Sequence, residues 1–152
     1  MPILSYNQAQ EIVPTIKNSV GVSGCFDILH VGHLHFLQEA RTHGEHLIIL
    51  LEGDEFITKA KNRSSFHTQA ERAEILSALK FVDYVVVLPY LPDEAAYAKM
   101  YSEISLHTLV VSTHDPYRVK KQEQIEHAQG KVILIDTFVQ NKSTSKILEY
   151  FG

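Results

Sequence analysis

The stretch Gly24-Cys25-Phe26-Asp27-Ile28-Leu29-His30-Val31-Gly32-His33 follows a short apolar run and precedes a helical pattern. In an open α/β sheet, ligands bind at the carboxyl ends of the strands, where such strand-to-helix loops lie. Gly24 permits close backbone approach or a positive φ, and Gly32 permits a ligand near the helix start. The N–H groups at a helix N-terminus favour phosphate. The stretch therefore predicts a phosphate-binding loop in an α/β fold.

The remainder of the chain alternates between strand and helix patterns. Short β-rich runs occupy residues 19–23, 46–52, 83–88, 108–112 and 131–136. Continuous apolar runs are typical of strands covered on both faces. Helical spacing predicts helices over 32–43, 70–80, 93–104, 118–128 and 143–151, after an N-terminal helix near 7–18 that Pro14 shortens or kinks. We expect a single domain, residues 1–152, with a doubly wound, Rossmann-like parallel sheet of about five strands and helices on both faces.

Composition narrows the functional classes. The 152 residues are 45% hydrophobic and 21% charged, with a formal net charge of -4, so no global basic excess indicates a nucleic-acid partner. The single cysteine, Cys25, excludes an internal disulfide. We find no signal-peptide pattern and no apolar run near the roughly 20 residues that span a bilayer. We expect a cytoplasmic protein without a membrane or nucleic-acid partner.

Nine histidines are unusual for this length, and His30 and His33 are the functional candidates. Three residues apart on a first helical turn, their imidazoles share a face and can donate hydrogen bonds to phosphate oxygens. A metal pair is an alternative, but no third ligand is near. Cys25 as a nucleophile lacks a cue for an activating base. His114 is a weaker candidate, and surface or structural roles suit His35, His43, His46, His67, His107 and His127.

Residues 53–68 form the longest stretch without a strong pattern, and their polar, basic part contains Lys59 and Lys61. A segment of this length in a compact domain is usually a functional or mobile loop. A solvated surface loop is the competing interpretation.

Together, Gly24-Cys25-Phe26-Asp27 and His30-Val31-Gly32-His33 resemble the signature of the cytidylyltransferase-like nucleotidyltransferase superfamily. Glu71-Arg72 resembles the family's helix in which an Arg contacts nucleotide phosphates. Ser143-Thr144-Ser145 resembles its C-terminal triphosphate-binding motif. The resemblance runs from about residue 19 to residue 150 and implies a HUP-type nucleotidyltransferase fold. Each of these residues also has a structural interpretation. Arg72 could lie on the surface of its helix, and Ser143-Thr144 could be a helix N-cap. Asp27 could cap the loop or orient a histidine.

The resemblance implies transfer of a nucleoside monophosphate to a phosphorylated small molecule, with pyrophosphate release. A phosphate monoester is largely dianionic at neutral pH, so it needs little general-base help. We expect catalysis by positioning and charge stabilisation. The implied catalytic residues are His30, His33, Lys59, Lys61 and Arg72. The implied nucleotide-binding residues are Gly24, Cys25, Phe26, Asp27, Gly32, Asp115, Ser143, Thr144 and Ser145. The resemblance adds Mg²⁺ with the nucleoside triphosphate, and no protein metal site.

The substrate depends on the subgroup. Residues 138–145, Phe-Val-Gln-Asn-Lys-Ser-Thr-Ser, resemble the Phe-Val-Glu-Gly-Arg-Ser-Thr-Thr segment of bacterial heptose 1-phosphate adenylyltransferases. This favours ATP and a sugar phosphate. Glycerol 3-phosphate cytidylyltransferases, which would use CTP and an alcohol phosphate, typically carry Arg where Phe138 stands. The adenylyltransferases usually have Lys-Gly-Gly-Asp-Tyr after the fourth strand, where this chain has Val111-Ser112-Thr113-His114-Asp115-Pro116-Tyr117. This departure lies close to the expected nucleotide base and substrate pockets.

Other functions compete with this interpretation. A non-catalytic nucleotide-binding module would keep the loop without turnover. An FMN adenylyltransferase shares the same motifs. A tRNA-synthetase-like or RNA-binding role needs a longer chain and a basic stripe with interleaved aromatics. The resemblance also suggests a homodimer.

Overall fold

A computed structural model describes residues 2–137 and 143–151 of the chain. Its strands are β1 (Ile3–Leu4), β2 (Ser19–Gly24), β3 (His46–Leu51), β4 (Tyr84–Val87), β5 (Thr108–Ser112) and β6 (Lys131–Ile135). Its α-helices are α1 (Tyr6–Ile12), α2 (Val31–Arg41), α3 (Asp54–Lys61), α4 (Gln69–Ser77), α5 (Glu94–Glu103), α6 (Arg118–His127) and α7 (Thr144–Phe151). A 3₁₀ turn, Val13–Thr15, carries Pro14 and ends the N-terminal helix early.

The sheet is parallel, with strand order β1-β4-β3-β2-β5-β6. All five expected strands are present, and β1 is an additional edge strand beside β4. The chain builds outward from β2 through β3 to β4 and then returns to place β5 on the other side of β2. A crevice opens where the strand order reverses, between β2 and β5, and ligands of such sheets bind there.

Strand β3 shows why the apolar runs are continuous. Ile48 and Leu50 pack in one hydrophobic cluster with residues of α1, α5 and α6. Leu47, Ile49 and Leu51 pack in a second cluster with residues of α2 and α4. All five side chains are fully buried, and each contributes roughly 1.5–3 kcal/mol on burial. Helices therefore cover both faces of the sheet, as expected of a doubly wound fold.

The expected loop over residues 53–68 is wrong in its first half, where α3 forms. Its dipole is complemented at both ends, by Asp54 and Glu55 in the first turn and Lys59 and Lys61 in the last. Asn62 ends the helix in the left-handed conformation, with φ 52°. The two lysines are therefore carried on a helix and not on a loop.

Candidate functional site

A cavity of about 660 Å³ opens at the carboxyl ends of β2, β3 and β5. One half lies at the β2–β5 crevice and is lined by the β2–α2 loop, the start of α2 and residues 143–145. The other half contains Glu52 at the end of β3, residues 90–93 in the segment that follows β4, and side chains of α3, α5 and α6. One continuous pocket therefore connects the β2–β5 crevice with the carboxyl ends of the neighbouring strands.

His30 and His33 lie together on the first half of the pocket, with ring centroids 3.8 Å apart and the planes stacked. They begin α2 as a capping box. The His30 Nδ1 accepts the Gly32 N–H at 3.0 Å, and the His33 Nδ1 accepts the His30 N–H at 3.3 Å. Because both Nδ1 atoms accept, each neutral ring carries its proton on Nε2. The pair therefore supplies two Nε2–H donors.

Burial keeps both rings neutral. It lowers the pKa of His30, and burial together with His30 and Lys61 lowers the pKa of His33 to about 3. Neutral imidazoles donate hydrogen bonds but carry no positive charge that could offset the negative charge of a phosphate. Positive charge for a phosphate must therefore come from elsewhere in the pocket.

The backbone of the β2–α2 loop is strained at two positions that are not glycines. Phe26 has φ 49° and Ile28 has φ 54°, a conformation that costs of order 1–3 kcal/mol for such residues. Gly24 has no positive φ, so that expectation is wrong. A Cβ on Gly24 would lie 3.1 Å from the Phe26 ring.

Asp27, in the β2–α2 loop, holds the segment of residues 63–67 against that loop. Its carboxylate is buried and accepts the Phe66 N–H at 2.7 Å and the His67 N–H at 3.0 Å, and it pairs with Arg63 Nη1 at 3.0 Å. Burial alone would raise the pKa of Asp27, but these three donors outweigh it and lower the pKa. Asp27 lines the pocket as a loop anchor, as one of the sequence interpretations had it, and its oxygens are already satisfied.

Arg72 is the implied phosphate ligand that the structure does not bring into the pocket. Its side chain is fully buried. Nη1 donates to the Cys25 and Glu52 carbonyl oxygens at 2.7 and 2.8 Å, Nε donates to the His67 oxygen at 3.1 Å, and Nη2 pairs with Asp54 at 2.6 Å. Four of its five N–H donors are therefore in use. Neither the expected phosphate contact nor the surface alternative fits this placement; Arg72 joins the ends of β2 and β3.

Lys59 and Lys61 lie on the rim of the pocket, at the end of α3. The Lys59 ammonium is 3.2 Å from Glu55 and 4.4 Å from the centre of the Tyr90 ring. Its hydrogen bond to Glu55 raises the pKa of Lys59. Both side chains are exposed, so the pocket has cationic residues on its rim while its histidines are neutral.

The start of α7 completes the first half. Ser143, Thr144 and Ser145 line the pocket, and Ser143 Oγ accepts the Lys146 N–H at 3.1 Å. Thr144 Oγ1 donates to the Asp27 carbonyl oxygen at 2.6 Å. This bond docks the helix on the β2–α2 loop beside the histidines. Residues Phe138-Val139-Gln140-Asn141-Lys142, which carry part of the resemblance to heptose 1-phosphate adenylyltransferases, lie outside the described residues.

Asp115 lies where β5 ends, in the segment that departs from the family pattern. Its carboxylate pairs with Lys121 at 2.6 Å and accepts the Tyr117 N–H at 2.7 Å. Lys121 also donates to the Ser23 carbonyl oxygen at 3.0 Å. The pair therefore bridges the two sides of the β2–β5 crevice. His114 lines the pocket nearby and lies 2.7 Å from Asp136.

Sequence reasoning missed the polar residues of the second half of the pocket. Glu52, Tyr97 and Gln124 line it, and the distance between them along the chain hides their proximity. One signal was available, because Glu52 is a charged residue directly after a fully apolar strand end. Cys25 is buried, and burial raises the pKa of its thiol, which argues against the nucleophile.

Among residues 2–137 and 143–151, no group of three or more His, Cys, Asp or Glu side chains is arranged to hold a metal ion. Asp27, the carboxylate closest to the two histidines in sequence, already accepts hydrogen bonds from three donors. In the same part of the chain, no helix is long and apolar enough to cross a bilayer.

Comparison with known proteins agrees with this geometry. A family profile described as cytidylyltransferase-like matches residues 22–148. The "Bifunctional protein HldE" of Geotalea uraniireducens is 39% identical over 135 residues, 88% of this chain and 26% of that protein. The FAD synthase of Thermococcus sibiricus is 45% identical over 71 residues, 47% of this chain and 48% of that protein. The chain spans about a quarter of the length of the HldE relatives.

Solved structures show the same fold. The lipopolysaccharide core biosynthesis protein of Thermoplasma volcanium has a TM-score of 0.66 at 22% identity, covering 80% of this chain and 98% of that one. Pantoate-beta-alanine ligase of Francisella tularensis has a TM-score of 0.64 at 15% identity, covering 97% of this chain and 76% of that one. The Rossmann-like, HUP-type fold is confirmed, with six strands instead of about five. The resemblance carried by residues 24–33 is likewise confirmed, and the chain belongs to the cytidylyltransferase-like family.

Proposed function

We propose that the protein is a nucleotidyltransferase that transfers AMP from ATP to a sugar 1-phosphate, with heptose 1-phosphate as the best candidate acceptor. The observation that carries the proposal is the convergence of two neutral imidazole donors, the start of α7 and two rim lysines on one pocket. The match to HldE proteins over 88% of the chain supports the adenylyltransferase subgroup.

In the proposed reaction, an oxygen of the acceptor phosphate attacks the α-phosphorus of ATP. A new P–O bond forms, the bond between the α-phosphorus and the bridging oxygen breaks, and pyrophosphate leaves with the electron pair. The acceptor is already dianionic, so no side chain has to remove a proton. His30 and His33 donate to the triphosphate through Nε2–H, and Lys59 and Lys61 offset its charge. By comparison with oxyanion-hole donors, each imidazole contributes about 3–4 kcal/mol.

Mg²⁺ belongs in this proposal to the ATP complex, where it neutralises triphosphate charge and keeps several waters. The described residues provide no dedicated cage for it. The cytoplasmic location and the homodimer stay predictions, and sedimentation of the purified chain tests the latter.

A pyrophosphate-release assay tests the function. ATP or CTP is paired with D-glycero-β-D-manno-heptose 1-phosphate, glycerol 3-phosphate or FMN, in the presence of Mg²⁺. We expect turnover to be fastest with ATP and the heptose phosphate. His33→Asn keeps a hydrogen-bond acceptor for the His30 N–H but removes Nε2–H, and we expect a 10²–10³-fold lower kcat. His35→Asn, an exposed change on the same helix, is the matched control. Faster turnover with CTP would overturn the adenylyl assignment.

FMN adenylyl transfer is the second candidate function. The FAD synthase of Thermococcus sibiricus supports it, with 45% identity over 71 residues. ATP-dependent turnover of FMN, without turnover of sugar phosphates, would favour this candidate.

A further inference from the structure

Glu52 stands out in the second half of the pocket because its carboxylate is buried with few partners. The residue is 6% exposed and lines the cavity at the end of β3. Tyr97 donates its hydroxyl to Glu52 Oε2 at 2.5 Å. Among the described residues this is the carboxylate's one hydrogen bond, and the ion pairs there do not include it. A carboxylate has about four acceptor sites, so most of its capacity faces the cavity.

The position of Glu52 is held rigidly. Its backbone N–H donates to the Gly24 carbonyl oxygen at 2.9 Å, and its own carbonyl oxygen accepts Nη1 of Arg72 at 2.8 Å. Tyr97 fixes the side chain from α5. Burial raises the pKa of Glu52, with Tyr97, Lys121 and Arg72 opposing it. A buried carboxylate with unfilled acceptor sites is costly unless a ligand supplies donors.

The charges around Glu52 decide which donors fit. Lys59, Lys61 and Lys120 line the same cavity, and Lys121 already holds Asp115 at 2.6 Å. These cations would repel an ammonium group on a ligand, and Lys120, which the proposed reaction does not assign to the triphosphate, suits the phosphate of an acceptor. A neutral hydroxyl satisfies the carboxylate without that repulsion. Tyr97 and Phe56 supply flat apolar walls, as carbon skeletons of polyols require.

We propose that Glu52 is the specificity-determining residue of the acceptor subsite, accepting hydrogen bonds from hydroxyl groups of a polyhydroxylated phosphate monoester. This inference rests on the proposed function, since it assumes that the second half of the pocket holds the acceptor. The expected acceptor is a neutral polyol or sugar phosphate, and not an amino-alcohol phosphate.

The test compares three acceptors of equal carbon count: glycerol 3-phosphate, n-propyl phosphate and 3-aminopropyl phosphate, with the heptose 1-phosphate as a fourth. Wild type, Glu52→Ala and Glu52→Gln are assayed for acceptor kcat/KM at saturating ATP. Glu103→Gln is the matched control, because Glu103 also accepts a tyrosine hydroxyl, from Tyr6 at 2.6 Å, away from the pocket. KM for ATP and the melting temperature are recorded for each protein.

In the wild type we expect the hydroxylated acceptors to exceed n-propyl phosphate by 10- to 100-fold, the loss typical of an unpaired charged acceptor. Glu52→Ala should shrink that ratio to a few-fold, with the ATP KM within about twofold and Glu103→Gln unchanged. If Glu52→Ala does not fold, Glu52→Gln carries the test, with a partial loss of the ratio. An equal loss for all acceptors, or a preference for 3-aminopropyl phosphate, would overturn the inference.

Failure of the proposed function is recognised separately. If the wild type turns over no acceptor, thermal shifts by glycerol 3-phosphate and heptose 1-phosphate replace kinetics. A shift in wild type that Glu52→Ala removes supports the subsite although the transferase proposal fails. The absence of any shift in the wild type overturns the subsite as well.

Discussion

Replacing Arg72 by Met removes a buried guanidinium that joins four segments. Three of its bonds go to backbone carbonyls, at 2.7, 2.8 and 3.1 Å, and these oxygens would lose their partner. The fourth partner, Asp54, is 47% exposed, so that ion pair contributes little. Hydrogen bonds to a charged donor contribute about 1.5–3 kcal/mol each. Part of this is recovered because the guanidinium no longer has to be desolvated.

We therefore expect Arg72→Met to lower the free energy of unfolding by about 3–5 kcal/mol. For a chain of this length, that lowers Tm by roughly 10 °C. Arg72→Lys should cost nearly as much, since one ammonium group cannot replace the planar fork that reaches three carbonyl oxygens. Urea unfolding measures the loss, and Arg118→Met, an exposed change at the start of α6, is the control.

A direct phosphate role for Arg72 makes a different prediction. The variant would then keep its stability within about 1 kcal/mol and lose ATP affinity measured by calorimetry at a temperature where it is folded. That combination would refute the structural assignment.

Three further outcomes are expected. The pKa of His33 is about 3 in the folded protein and 6.5 in the unfolded chain, so unfolding takes up a proton below pH 6.5. The free energy of unfolding should therefore fall from about pH 6.5 towards pH 3, by up to about 1.4 kcal/mol per pH unit. His33→Asn should flatten that slope in urea titrations. Asp27→Asn loses the charge that holds Arg63 and the loop at Phe66, so limited proteolysis should cut residues 63–67 faster; unchanged cutting contradicts the anchor. Thr144→Val removes the bond to the Asp27 carbonyl and should lower Tm by a few degrees while leaving β-sheet circular dichroism unchanged; a Tm equal to wild type would show that this bond does not dock α7.

The fold could be predicted from the sequence because its central strands are continuous apolar runs. Leu47 to Leu51 are buried on both faces, so the run needs no alternation and few other structures accommodate it. Two elements, β1 and α3, were not predicted, and the reasons differ. The strand Ile3–Leu4 is too short to show a period. Helix α3 has one fully buried residue, Ile57, and its signal lay in the charges at its two ends.

The site likewise contains residues that the sequence predicts and residues that it does not. His30 and His33 are close in sequence, so their spacing alone brings their rings together. Glu52 and Tyr97 are 45 residues apart, and only the parallel sheet brings them into contact. Arg72 shows the limit of motif reasoning, since a motif position on a helix does not indicate in which direction the guanidinium points. Its partners are backbone oxygens, which no residue pattern identifies.

The capping box of α2 couples the shape of the loop to its chemistry. Each imidazole gives Nδ1 to the backbone and keeps Nε2 for a ligand. Protonation of His33 would remove the acceptor for the His30 N–H, so a histidine cation there costs the capping box of α2 one hydrogen bond. The same two rings that line the pocket also cap the first turn of α2. Substitutions at these two positions therefore act on the start of α2 as well as on the two donors, and His33→Asn separates the two effects because it removes Nε2–H and keeps an acceptor for the His30 N–H.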